Sequence, residues 1–339
     1  MPFRRKQVFA FLLLLGLTTA TVAEPLTRLA ISFPGPRNIS YLPLDVAPKI
    51  GADRAEGAQL EILHTGGGAV ALGNLLNRNV DFAVAGLPAA MSQRTNGDRV
   101  VAIAPVNDAP LFILMVRADL KGKVKRIADL KGKVVGVNTS SLTSKTTSQQ
   151  LAELLLRSDG VAPEQVRLLA AGQSWPEQSS LLEQGVVDAI MGDEPFASRL
   201  REAGKVFFLA DLSDPRTTQR IRGANFLHAA LETREETLKQ HPGEVARMVR
   251  ILKRTLAWMA SHTPEQIVDV LAVTDAEERK ALITSLRRYP RLYSKDGRFS
   301  SRQLKETETF FQTTSGNAPS ARALRLDDMV VDTWSGRKP

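Results

Sequence analysis

The strongest constraint on this chain is a segment that occurs twice. Leu75-Leu76 leads through Val80-Asp81 and Phe82-Ala83-Val84-Ala85-Gly86 to Leu87-Pro88, and Leu181-Leu182 leads through Val187-Asp188 and Ala189-Ile190-Met191-Gly192-Asp193 to Glu194-Pro195. Each copy reads as a helix end, a tight turn, an aspartate opening an apolar strand, and a proline where the strand gives way to a loop. A chain that repeats such a unit folds as two similar halves.

Around the repeats, short runs rich in Val, Ile and Ala alternate with longer stretches of helical period. This is the pattern of an α/β protein with largely parallel strands. Strands are predicted at 28–33, 59–64, 81–85, 100–104, 111–116, 134–138, 166–170, 188–191, 205–209 and 225–231. Two α/β lobes in tandem place their strand-end loops on a central cleft, where open sheets bind ligands. The stretches 110–119 and 223–232 read as crossings between lobes. Lobe 1 is therefore expected at 24–114 and 225–339, and lobe 2 at 115–224.

The last third is helical. Val245, Met248, Leu252, Leu256 and Met259 recur at spacings of three and four within 242–260, a second helix is expected at 264–272, and Thr274-Asp275-Ala276-Glu277 suits a capping box before a third. Each helix carries one apolar stripe, so the segment is expected to pack on lobe 1.

The N-terminus stands apart. Arg4, Arg5 and Lys6 precede an apolar run from Val8 to Leu17, and Thr21-Val22-Ala23 supplies small residues before Glu24. Residues 1–23 thus read as a cleavable secretory signal peptide, the run being too short for the roughly 20 residues of a membrane span. The chain has no cysteine, which excludes disulfides, thiolate metal sites and a lipid-modified N-terminal cysteine. Its net charge of +9 is spread along 339 residues with no basic block or aromatic interleaving, so no nucleic-acid partner is expected.

Candidate binding residues cluster in the strand-end loops. Gly67 and Gly68 belong to a Gly66-Gly67-Gly68 turn that opens a helix, where free N–H groups favour anions; a plain glycine turn is the alternative. The counterpart in lobe 2 is the hydroxyl-rich run from Val137 to Lys145, holding Ser140, Ser141, Thr143 and Ser144 between a strand and a helix. Arg37 can grip an acidic group, Asn38 can donate or accept, and Tyr41 offers a ring, while a solvated loop arginine is equally open. Gly86 and Glu194 lie at the two repeated strand ends. In Gln173-Ser174-Trp175-Pro176-Glu177, Ser174 and Glu177 make a capping box, leaving Gln173 and Trp175 for the cleft.

Catalytic readings fare poorly. The histidines, His64, His228, His241 and His262, show no i, i+4 pair and no HExxH pattern, and no Gly-x-Ser-x-Gly elbow occurs. Asp193 and Glu194 stand at a strand end as a carboxylate pair without a neighbouring acid/base partner in sequence, and a solvated or helix-capping role is at least as open for both. No catalytic residue, metal or cofactor is expected.

These residues resemble a family: the periplasmic substrate-binding proteins of the nitrate/sulfonate/taurine ABC-importer type, which share a fold with the thiamine-pyrimidine synthase (NMT1, THI5-like) proteins. The resemblance is carried by Gly66-Gly67-Gly68, Asn79-Val80-Asp81-Phe82-Ala83, Asp129-Leu130-Lys131-Gly132-Lys133 leading into Val134-Val135-Gly136-Val137, Gly185-Val186-Val187-Asp188-Ala189, Glu194-Pro195, and His241-Pro242. It implies a type II periplasmic-binding-protein fold, closure of two lobes on one small molecule, and delivery to an ABC permease in the inner membrane. The synthase relatives use a cysteine-rich segment that this chain lacks. The expected function is capture of a small anionic or zwitterionic organic solute, of sulfonate, taurine, nitrate or aromatic-acid type, by a periplasmic monomer. A sensory subunit signalling to a membrane receptor is the first alternative, and an enzyme on the same fold the second.

Overall fold

The computed structural model describes residues 25–108, 110–315 and 319–339; the expected signal peptide at 1–23 lies outside them. All ten anticipated strands form, the last of them starting four residues later than expected: β1 (Thr27–Pro34), β2 (Ala58–Thr65), β3 (Phe82–Gly86), β4 (Val100–Pro105), β5 (Phe112–Arg117), β6 (Val134–Val137), β7 (Arg167–Ala170), β8 (Ala189–Asp193), β9 (Val206–Asp211) and β10 (Ala229–Arg234). They make two five-stranded sheets, β2-β1-β3-β10-β4 and β7-β6-β8-β5-β9. The two orders are the same topology. In each sheet, one strand arriving from the other lobe, β10 or β5, inserts antiparallel between its neighbours.

The sequence repeat has a physical basis. Asp81 and Asp188 each stand before a strand and bond the strand beside it. Asp81 accepts from Ala30 N at 3.3 Å and donates its own N–H to Ala30 O; Asp188 accepts from Val134 N at 2.9 Å and donates to Val134 O. Each aspartate thus satisfies a backbone donor at a sheet end that the ladder leaves unpaired.

The chain changes sheets between Pro105 and Phe112, ahead of Leu114, and returns between Asp211 and Ala229, a span that contains Asn225. Buried Asn107 staples the two crossings: its Oδ1 accepts from Ala229 N and its Nδ2 donates to Ser40 O, both at 2.9 Å.

The helix Pro242–Ala260 buries Val245, Met248, Leu252 and Leu256 against Leu29, Ile31 and Phe33 of β1, so the expected stripe does face lobe 1. Each such side chain contributes roughly 1.5–3 kcal/mol of hydrophobic stabilisation. The helices Pro264–Val270 and Ala276–Arg288 cover Ile39, Leu42 and Leu111. The third helix is capped one residue later than expected, by Asp275, whose carboxylate accepts from Glu278 N at 2.7 Å; an aspartate before helical Ala276 satisfies an N–H that Thr274 does not reach.

The C-terminal segment also reaches lobe 2. On the helix Ser301–Thr314, Phe310 stacks on Phe226 at 4.1 Å within the lobe 2 core, while Phe311 packs into the lobe 1 core. Consecutive helical residues point about 100° apart, so one turn serves both lobes.

Candidate functional site at the lobe interface

The strand-end loops of both lobes close on a small cavity lined by Tyr41, Gly68, Gly86 and His228 of lobe 1 and by Asn138, Thr146, Thr147, Ser148, Gln173 and Asp193 of lobe 2, with Phe112 from the crossing. Its volume is about 20 Å³, room for one water-sized sphere. The lobes are therefore shut, and nothing larger than a water molecule fits the cavity until they part.

Two helix starts meet at this cavity. Gly68 opens the helix Gly68–Leu76 and Thr147 opens Thr147–Ser158, whose cap Thr146 accepts from Gln149 N at 3.3 Å. Unpaired N–H groups and the helix dipoles make both starts favourable to negative charge. Opposite in character stands Asp193, buried at the end of β8. Its Oδ2 accepts from Asn38 Nδ2 at 2.9 Å, and its Oδ1 has no partner. Burial pushes the Asp193 carboxyl up to about 7, opposed by the Asn38 bond and assisted by Glu194.

The remaining wall is aromatic and polar. His228 lies edge-on to Phe112 at 4.8 Å with neither ring nitrogen bonded, and burial lowers its pKa to about 3, so the ring is neutral. Gln173 Nε2 donates to Asn138 O at 2.9 Å, and Gln178 Nε2 donates to Asn138 Oδ1 at 3.1 Å. The Gln173 Oε1 and Thr147 Oγ1 atoms are buried without partners. A cluster of buried, unpaired polar atoms is costly unless something pairs with it.

Of the residues singled out in the sequence, Tyr41, Gly68, Gly86 and Gln173 line the cavity, and Asn38 reaches it through Asp193. The others lie elsewhere. Arg37 is turned outward by its backbone, with φ +56°, and its guanidinium donates to Glu278 at 2.6 and 3.2 Å. Gly67 lies against Thr139, and Ser140 N donates to Gly66 O at 2.6 Å, so these residues join the lobes at the cavity rim. Ser141 and Thr143 bond each other at 2.8 Å, and Ser144 is half-buried and does not line the cavity. Glu194 is wholly buried and accepts from Ser198 N, Ser198 Oγ and Tyr289 Oη. Trp175 sits under Arg199.

Sequence reasoning passed over Asn138, Thr146, Thr147, Ser148, Phe112 and His228, and set Asp193 aside as solvated. A signal for Asp193 was present: the repeat aligns it with Gly86, and both stand at the cavity. The hydroxyl run was followed to Lys145 but stopped one residue short of the helix cap.

Two sheets of one topology, crossed twice by the chain and closing on a polar cavity, make the two-lobe type II fold of the periplasmic binding proteins. The chain belongs to the NMT1/THI5-like family, whose model matches residues 38–267. It is 27% identical over 252 residues to the Haemophilus influenzae "Putative thiamine biosynthesis protein", covering 70% of this chain and 76% of that one. A solved structure from Bordetella bronchiseptica RB50 has a TM-score of 0.82 at 19% identity, covering 91% and 96%. The alkanesulfonate-binding protein SsuA from Xanthomonas axonopodis bound to MOPS has a TM-score of 0.71 at 15% identity, covering 92% and 99%.

Proposed function

We propose that this protein is the periplasmic solute-binding component of an ABC importer, handing one small solute to an inner-membrane permease without chemical change. The observation that carries the solute class is the placement of the Asp193 carboxyl among the residues that also include two helix starts, Gly68 and Thr147. Such a site complements a zwitterion: the anionic end faces the helix N–H groups and the donor or cationic end faces Asp193. No Arg or Lys lines the cavity among the described residues. A bare anion such as nitrate is therefore the poorer fit, which narrows the expected anionic or zwitterionic solute to the zwitterionic side.

Thermal unfolding against matched pairs tests this: amino-sulfonates against alkanesulfonates, and amino-aromatic acids against aromatic acids. A solute at about 100 times its dissociation constant adds roughly 2.7 kcal/mol. Stabilisation by the amino member of a pair, lost in Asp193→Asn, is expected. Stabilisation by the plain anions alone overturns the zwitterion assignment.

A further inference from the structure

We propose a second ligand site at the hinge, which takes a small organic anion and is coupled to lobe closure. A groove of about 430 Å³ opens where both crossings meet the C-terminal segment, its wall including Leu111, Ser213, Asn225, Arg288, Tyr289 and Arg291. That volume lies within the range of small-molecule sites. Two arginines line it, Arg288 and Arg291, of which Arg288 is bonded to Asp211 Oδ2 at 3.1 Å. Arg291 is exposed and has no side-chain partner among the described residues. An unpaired guanidinium beside leucine and proline surface suits a carboxylate or sulfonate on an apolar body.

The groove is linked to the cavity by a hydrogen bond and one step along the chain. Tyr289 Oη donates to Glu194 Oε1 at 3.2 Å and accepts from Ser213 Oγ at 3.3 Å, and Glu194 directly follows Asp193. Ser213 lies on the returning crossing and Tyr289 on the C-terminal segment, so parting the lobes moves the two walls relative to each other. A ligand that fits one shape of the groove better then shifts the open–closed equilibrium, and closure reciprocally alters its affinity.

The test uses benzenesulfonate and benzoate as probes on the full chain, with binding measured calorimetrically and shape by small-angle scattering. Saturable binding is expected, weakened about tenfold or more in Arg291→Ala, the usual scale for losing a charge-assisted bond, partly restored in Arg291→Lys, and retained in Asp193→Asn with only the few-fold change that altered closure brings. The scattering profile should change on saturation. Binding that survives Arg291→Ala, or that is lost in Asp193→Asn, overturns the second site. Binding at Arg291 with an unchanged profile overturns the coupling.

Discussion

Asn38 and Asp193 meet across the two lobes, with the Asn38 amide donating to the Asp193 carboxylate at 2.9 Å. The bond ties the loop after β1 to the end of β8, the strand end at which the repeat places Gly86 in the other lobe. It leaves one carboxylate oxygen unpaired, so Asp193 both bridges the lobes and keeps an acceptor free for the zwitterionic solute proposed above.

Two buried titrating groups at this site pull stability in opposite directions with pH. Asp193 is raised to about 7, so the folded protein holds a proton that an unfolded aspartate, near 3.9, has lost. Its contribution therefore falls as pH rises from about 4 to 7. His228 is lowered to about 3, so the unfolded chain takes up a proton first, and its contribution rises as pH climbs from about 3 to 6.5. In urea unfolding across pH 3–8, Asp193→Asn should gain on the wild type as pH rises, and His228→Asn should gain as pH falls. Parallel curves for both variants and the wild type would sink this assignment.

Gly86 sets how closely the lobes approach. A Cβ there meets Thr147 Oγ1 at 2.1 Å and Thr147 Cβ at 3.1 Å, and that threonine belongs to the opposite lobe. At φ −65° the backbone itself accepts alanine. Gly86→Ala is expected to leave the unfolding midpoint nearly unchanged while expanding the scattering profile and weakening solute binding by about tenfold or more, the cost of a steric overlap of 1–3 kcal/mol. Adding Thr147→Ala should recover much of the loss, a coupling that a double-mutant cycle measures. Equal closure in the single variant would show that Thr147 gives way and that Gly86 does not set the approach.

Arg37 provides a sharper contrast with its neighbour. The loop presents Asn38 inward and Arg37 outward, where it bonds Glu278. Arg37→Ala should therefore leave solute affinity within about threefold and cost up to about 1 kcal/mol of stability, as for other partly exposed ion pairs. Asn38→Ala, which removes an inter-lobe bond to a buried carboxyl, should weaken binding by about tenfold or more. Titration calorimetry separates the two; a large loss from Arg37→Ala would place the guanidinium in the bound site.

The strands and the doubled topology were legible because apolar runs and the Asp81 and Asp188 strand openings are local signals. The site was only half legible. Gly68, Gly86 and Gln173 follow strands in the chain and could be read from that order, but whether Arg37 faces the cleft depends on Glu278, far along the sequence. Asp193 looked solvated because its burial is made by the opposite lobe, and His228 acquires its aromatic surroundings only from the packing of β5 and the crossings. The lobe-bridging role of the helix Ser301–Thr314 was likewise hidden, since Phe310-Phe311 reads as one apolar pair until two different cores claim it.

That pair gives the last prediction. Phe310 is fully buried against Phe226 in lobe 2, and Phe311 is buried in lobe 1, so removing either ring leaves a cavity in a different lobe. Each of Phe310→Ala and Phe311→Ala should cost about 3–5 kcal/mol. The backbone of Gly223 packs against Phe310, where a Cβ would come within 2.5 Å of Phe310 N, so the helix has no room to slide and refill the space. Hydrogen exchange localises the damage: Phe310→Ala should deprotect β5, β6 and the helix Thr147–Ser158, and Phe311→Ala should deprotect β3, β4 and the helix Leu87–Thr95. Identical exchange patterns in the two variants would mean that the helix stabilises the molecule as one block rather than as a wedge with a separate face for each lobe.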